Sequence, residues 1–67
     1  ADPYTVLGVS PDSTIEQIRQ VWRAMVRETH PDRMIARGVP EEAIRMAEKR
    51  MVDINRAWEE ITKERPA

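Results

Sequence analysis

The sequence predicts an all-α domain in which a short N-terminal helix lies across an antiparallel hairpin of two long helices. Apolar residues recur every three or four positions over residues 15–29 and again over residues 44–61, which is the spacing of amphipathic helices. The connection predicted between the two helices, residues 30–39, is typical of neighbouring helices that pack antiparallel at a shallow angle. The 67 residues are enough for one small domain, and we treat residues 1–67 as that domain.

The first helix is predicted over about residues 3–8. Asp2 suits the N-cap, and Pro3 suits the first helical position, where no backbone N–H donor is needed. Gly8 is expected to end the helix, because glycine adopts the left-handed conformation of a C-terminal cap at low cost. Tyr4 and Leu7 lie on one face of this helix and are expected to close the core of the hairpin.

The second helix is predicted over about residues 14–29. Its start offers two pairs with the spacing of a capping box, Ser13 with Glu16 and Thr14 with Gln17, and the sequence leaves both open. The apolar stripe that follows consists of Ile15, Ile18, Trp22, Met25 and Thr29, flanked by Val21 and Val26.

Residues 30–39 are predicted to be a loop, within which the letters MIAR could form one helical turn. Pro31 ends the second helix because it has no backbone N–H and excludes the α conformation at His30.

The third helix is predicted over about residues 40–63. Pro40 suits its start, and Glu41 and Glu42 lie in the first turn, where the helix dipole favours acidic groups. Pro66 is expected to end it. The apolar stripe of this helix is the most regular in the chain and consists of Ile44, Ala47, Met51, Ile54, Trp58 and Ile61.

Composition excludes several kinds of site. The chain has no cysteine, so disulfides and thiolate zinc sites are excluded, and the single His30 cannot build a histidine-based metal site. We expect no cofactor. No apolar run approaches the roughly 20 residues that span a membrane, and no signal peptide is present. Because the chain opens with Ala1 and not methionine, we expect it to be a domain cut from a longer protein, and the lack of cysteine fits a cytoplasmic compartment.

Catalysis is not expected. His30 and Asp32, together with Ser10 or Ser13, could suggest a hydrolytic triad, but a triad also needs an oxyanion hole and a substrate cleft. A hairpin with one short helix has little room for a cleft, and neither a nucleophile elbow nor a glycine-rich phosphate loop occurs.

Arginines form a stripe along the second helix. Arg19, Arg23 and Arg27 are spaced four apart at the edge of the apolar face, and Arg33 and Arg37 extend the positive charge into the loop. Acidic partners are scarce there, so we expect the stripe to be mostly unpaired. It could be a solvated face or the contact surface for an anionic partner, and the two are about equally supported by these residues. A net charge of −1 and a pI near 5.8 argue against a domain built for non-specific nucleic-acid binding.

The chain resembles a J-domain, the module of DnaJ-type co-chaperones. It contains YTVLGV at residues 4–9, IRQVWRAM at 18–25, HPD at 30–32 and INRAWEEI at 54–61, which match the family pattern in one register along nearly the whole chain. The resemblance implies the J-domain fold. It also implies that the HPD loop and the basic second helix bind a DnaK-class heat-shock chaperone and stimulate its ATPase, in protein folding or stress response.

The resemblance also implies which residues bind the partner. His30, Pro31 and Asp32 match the signature tripeptide. Trp22 stands where the family usually has an exposed tyrosine, and Met51 stands where an aromatic residue of the third helix often lies. Together with the arginines of the stripe and loop, the predicted partner-binding residues are Arg19, Trp22, Arg23, Arg27, His30, Pro31, Asp32, Arg33 and Met51.

The loop narrows the resemblance to one subgroup. The letters DRMIARGVPEE are similar to the loop of the DjlA group, whose J-domain lies at the C-terminus of a membrane-anchored bacterial protein. The resemblance therefore implies a parent in the bacterial inner membrane with this domain facing the cytoplasm. The basic fourth helix of many J-domains is expected to be absent after residue 63.

Two other functions compete with this one. A small helical nucleic-acid binder could use Arg19, Arg23 and Arg27, although near-neutral charge counts against it. A self-associating hairpin is the other, but we expect a monomer because the two apolar stripes cover each other.

Overall fold

The structure, a computed structural model, describes residues 2–65. They form four helices, α1 (Pro3–Leu7), α2 (Ile15–Thr29), α3 (Pro31–Ala36) and α4 (Glu41–Glu64), and no strand occurs among them. The all-α class is therefore confirmed. α1, α2 and α4 correspond to the three predicted helices, and each bound differs from the prediction by at most one residue. No helix follows α4 within the described residues, and Pro66, predicted to end it, lies outside them.

The ends of α1 and α2 are set by local hydrogen bonds. The Asp2 carboxylate accepts the backbone N–H of Tyr4, and Gly8 ends α1 with φ of +68°, in the left-handed region that favours glycine. At the start of α2, the Thr14 hydroxyl accepts the N–H of Gln17 at 3.1 Å, and the Gln17 side chain accepts the N–H of Thr14 at 2.9 Å. Of the two candidate capping boxes, the one formed is Thr14 with Gln17.

The prediction of a loop over residues 30–39 is corrected by the structure. α3 begins at Pro31, directly after α2 has ended at Thr29. Proline cannot continue a helix, but its fixed φ and missing donor suit the first position of a new one. α3 ends before Gly38, whose φ of +73° again lies in the left-handed region.

α2 and α4 run antiparallel, as the contacts along their length show. Near the start of α2, the Arg65 guanidinium donates to the Ser13 carbonyl at 2.9 Å, and further along Trp22 donates to Asn55 at 3.1 Å. α4 is about 36 Å long at 1.5 Å per residue, close to the 37 Å length of the molecule. α1 packs against α2 and α4, while α3 packs where α2 meets α4 at the other end.

The core lies between α1, α2 and α4. Ile18, Ile54 and Ile61 are fully buried, and the stripe residues around them are partly buried. The stripes predicted from spacing thus face each other. The prediction did not include Ala57, which is 3% exposed because α1 packs over that side of α4.

Candidate functional site

His30 caps two helices at once at the tip of the hairpin. It is the C-terminal cap of α2 and the N-terminal cap of α3, with φ of −59° and ψ of 130°. Its carbonyl accepts the N–H groups of Arg33 and Met34 at 3.1 and 3.2 Å. Its Nδ1 accepts the N–H of Asp32 at 3.2 Å. In this arrangement Nδ1 serves as the acceptor of the α3 cap.

Pro31 and Asp32 form the first turn of α3. Pro31 is half-buried, whereas the Asp32 side chain is 88% exposed. The Asp32 Oδ2 lies 3.9 Å from the His30 Nδ1, which is too far for a hydrogen bond. The carboxylate is thus an acceptor held at the tip of the molecule with most of its surface available to a partner.

The arginines of the predicted stripe differ in their surroundings. Arg23, Arg27 and Arg33 are exposed and form no ion pair with any residue from 2 to 65. Arg19 does not fit the prediction of an unpaired stripe. Its guanidinium donates to both carboxylate oxygens of Glu16, at 3.0 and 2.7 Å, and lies 5.9 Å from the centre of the Trp58 ring. The side chains at positions 16 and 19 meet because they are three apart on one helix.

Trp22 packs onto α4. Its ring stacks on that of Trp58, with centroids 4.8 Å apart and an angle of 8° between the planes. Its Nε1–H donates to the Asn55 side chain at 3.1 Å. The family resemblance placed an exposed aromatic residue at this position, whereas Trp22 is half-buried. Met51, also predicted to bind a partner, is half-buried on the stripe of α4.

Three neighbours of these residues were not predicted as part of the site: Glu16, Asn55 and Trp58. The i, i+3 spacing of Glu16 and Arg19 is visible in the sequence and could have indicated their pairing. Asn55 and Trp58 reach Trp22 from another helix, and no local pattern indicates which residues of α4 lie beside it.

A hydrolytic triad is excluded by distance. Ser10 and Ser13 precede α2 and His30 follows it, so about 22 Å of helix separates them. The sequence predicts little room for a cleft, and the structure corrects this expectation. An open groove of about 1000 Å³ lies between α3 and α4, lined by residues that include Met34, Met46 and Ala47 but neither His30 nor Asp32.

The model of the DnaJ domain matches residues 2–66. The chain belongs to the DnaJ domain family. In this J-domain the tripeptide His30, Pro31 and Asp32, which the resemblance matched to the HPD signature, forms the junction between α2 and α3.

The J-domain is also similar to curated proteins named co-chaperone protein DjlA. It is 37% identical over 65 residues to that of Vibrio cholerae, 31% over 64 residues to that of Shewanella oneidensis and 36% over 64 residues to that of Coxiella burnetii. These alignments cover 96–97% of this chain but only 23–24% of each relative. The predicted likeness to the DjlA group is confirmed. No solved structure gave a significant match.

Within residues 2–65, no helix of the J-domain has the length and apolar character needed to cross a lipid bilayer.

Proposed function

We propose that this J-domain is a co-chaperone module that binds a DnaK-class heat-shock chaperone and stimulates its ATP hydrolysis. The observation that carries the proposal is the HPD junction. The Asp32 carboxylate is 88% exposed at the tip of a hairpin, and the exposed Arg27 and Arg33 belong to the helices on either side of that junction. Family membership and the likeness to co-chaperones named DjlA support the same function.

The proposed contact surface runs from the tip along one side of α2. The unpaired arginines would attract an acidic surface of the partner and accelerate encounter. Asp32 would accept hydrogen bonds from a basic group of the partner. The residues proposed to take part are His30, Pro31, Asp32, Arg19, Trp22, Arg23, Arg27, Arg33 and Met51.

Stimulation would follow from differential binding. If the J-domain binds the hydrolysing conformation of the chaperone more tightly than the others, it shifts the population toward that conformation. The chemistry is then performed by the partner, and the J-domain needs no catalytic group or cofactor of its own.

A single-turnover ATPase assay tests this function. The 67-residue chain should accelerate hydrolysis of ATP preloaded on the cognate DnaK-class chaperone. Asp32→Asn keeps the shape and removes the charge, so it should abolish the stimulation while far-UV circular dichroism stays unchanged. Glu60→Gln, which also removes one negative charge from an exposed helix position, is the matched control and should stimulate normally. Full stimulation by Asp32→Asn would contradict the mechanism.

We further propose that the parent protein anchors this domain at the inner face of a bacterial inner membrane, as the likeness to the DjlA group implies. Membrane fractionation of the full-length protein, followed by protease digestion from either side, tests the anchor and its orientation. We expect the isolated domain to be monomeric in sedimentation and to bind neither duplex nor single-stranded DNA in anisotropy titrations.

A further inference from the structure

The two tryptophans of the chain form one unit across α2 and α4. Trp22 and Trp58 stack nearly parallel with ring centroids 4.8 Å apart. A stack alone lets one ring slide or rotate over the other. The hydrogen bond from the Trp22 Nε1–H to the side-chain oxygen Oδ1 of Asn55, at 3.1 Å, restrains that motion. Trp22 is therefore held in one orientation by two residues of α4.

Arg19 joins the same unit. Its guanidinium lies 5.9 Å from the centre of the Trp58 ring, within the range of a cation–π interaction, while Glu16 holds it from its own helix. The Arg19 side chain is still 30% exposed. α4 thus orders Trp22 and Arg19, two residues of the proposed contact surface that belong to α2.

We propose that Asn55 and Trp58 are positioning residues that pre-order Trp22 and Arg19 for binding to the DnaK-class partner. This inference rests on the function proposed above. A long or aromatic side chain that is free in solution loses rotamer entropy when a partner immobilises it, and that loss weakens affinity. Side chains already ordered by α4 avoid most of this loss. Removing the order should weaken binding without removing any group that contacts the partner.

Asn55→Leu is the variant that tests the inference. Asn55 is exposed, so water can replace it as acceptor for the indole N–H and the fold should persist. We expect the affinity for the ATP-bound chaperone, measured by titration calorimetry, to fall about 2- to 10-fold. Glu60→Leu places the same side chain on the other side of α4, beside α1, and should leave the affinity unchanged.

A double-mutant cycle separates positioning from a purely structural role or a direct contact. Phenylalanine lacks the indole N–H, so in a Trp22→Phe background Asn55→Leu should cause no further loss of affinity. Asn55→Gln keeps an amide acceptor and should recover part of the loss. Because the chain has two tryptophans and both belong to the stack, the emission spectrum of the free domain should change in Asn55→Leu but not in Glu60→Leu.

The possible failures are distinguishable. If the wild-type domain binds the chaperone and Asp32→Asn does not stimulate, but Asn55→Leu binds as tightly as the wild type, the inference is wrong and the proposed function stands. An equal loss of affinity in the Trp22→Phe background would also overturn the inference, since Asn55 would then act without Trp22. A wild-type domain that does not bind the chaperone would overturn both.

Discussion

His30 combines a structural and a proposed binding role in one side chain. The Nδ1 edge of its ring caps α3 by accepting the Asp32 N–H, and the side chain is 49% exposed. A substitution that removes the cap also loosens the first turn of α3, which carries Asp32. Loss of activity in such a variant would therefore not show that the imidazole contacts the partner.

His30→Asn separates the two roles. Asparagine is a favoured N-cap, so its side-chain oxygen can accept the Asp32 N–H while the Nε2 edge of the imidazole is lost. We expect the helical circular dichroism signal to be retained and stimulation in the single-turnover assay to be lost. Full stimulation by His30→Asn would show that the imidazole serves only as a cap.

Glu16 is expected to weaken the proposed binding of the domain to the chaperone. Its carboxylate neutralises Arg19 through an exposed i, i+3 pair. In Glu16→Gln the guanidinium should keep its contact with the Trp58 ring and become available to an acidic partner. Exposed pairs contribute about 0.2–1 kcal/mol, so we expect the dissociation constant for the chaperone to fall by up to about 5-fold. Titration calorimetry measures this, with Glu60→Gln as the control of equal charge. Weaker binding by Glu16→Gln would contradict an electrostatic role for Arg19.

At the scale of the helices, local caps set most of the ends of α1, α2 and α3. Asp2 and Gly8 delimit α1, Thr14 opens α2, and His30 opens α3. Asp2 and His30 each precede a proline, Thr14 ends a polar turn and Gly8 is a glycine, so these ends carry local signals in the sequence. This is why most helix bounds could be predicted to within a residue. α3 was predicted only as one possible turn over MIAR, because six residues are too few to show an apolar period and the His30 cap that holds its first turn lies outside those letters.

The capping box of α2 can be tested by two single substitutions. Thr14→Ala removes the hydroxyl that accepts the Gln17 N–H and should lower the free energy of unfolding by about 1 kcal/mol. Ser13→Ala is the matched control, because the Ser13 side chain makes no hydrogen bond with residues 2–65 and should change stability little. Urea denaturation measures both. Equal effects would show that Thr14 is not the cap.

At the scale of the whole molecule, α4 is the element against which the other helices pack. It runs nearly the full length of the molecule. α1 packs near its C-terminal end, α2 lies antiparallel along it up to that end, and α3 packs near its start. The core contains few fully buried side chains, and a chain of this size has a total stability of roughly 3–10 kcal/mol. Each of those side chains therefore accounts for a large share of that stability.

Ile54 tests how much the fold depends on one core residue. It is 0% exposed, and Ile54→Ala should cost about 2–5 kcal/mol, enough to unfold a large fraction of the molecules when heated. Met46→Ala removes a side chain that is 71% exposed and should change stability by less than about 0.5 kcal/mol. Thermal unfolding followed by circular dichroism compares them. Similar melting temperatures would contradict the packing of α2 against α4.

The sequence by itself determined the all-α class, the three longer helices and the family. The helices could be predicted because residue spacing and capping chemistry are local properties. The family could be predicted because the HPD tripeptide and its flanking motifs are recognisable in the amino-acid sequence. Of the residues that the sequence placed at the site, five are exposed in the structure and four are half-buried. The exposed ones are Arg23, Arg27, His30, Asp32 and Arg33, and the half-buried ones are Arg19, Trp22, Pro31 and Met51.

Only the tertiary structure decided which residues of α4 lie beside α2. The stack of Trp22 on Trp58 joins positions 36 residues apart, and the hydrogen bond to Asn55 joins positions 33 residues apart. Both depend on how far one helix is shifted along the other. That register is set by how the side chains of two apolar faces interlock, which is a property of both faces together. Periodicity predicts that the two helices meet, and only their packing decides that α4 holds Trp22 and Arg19 in place.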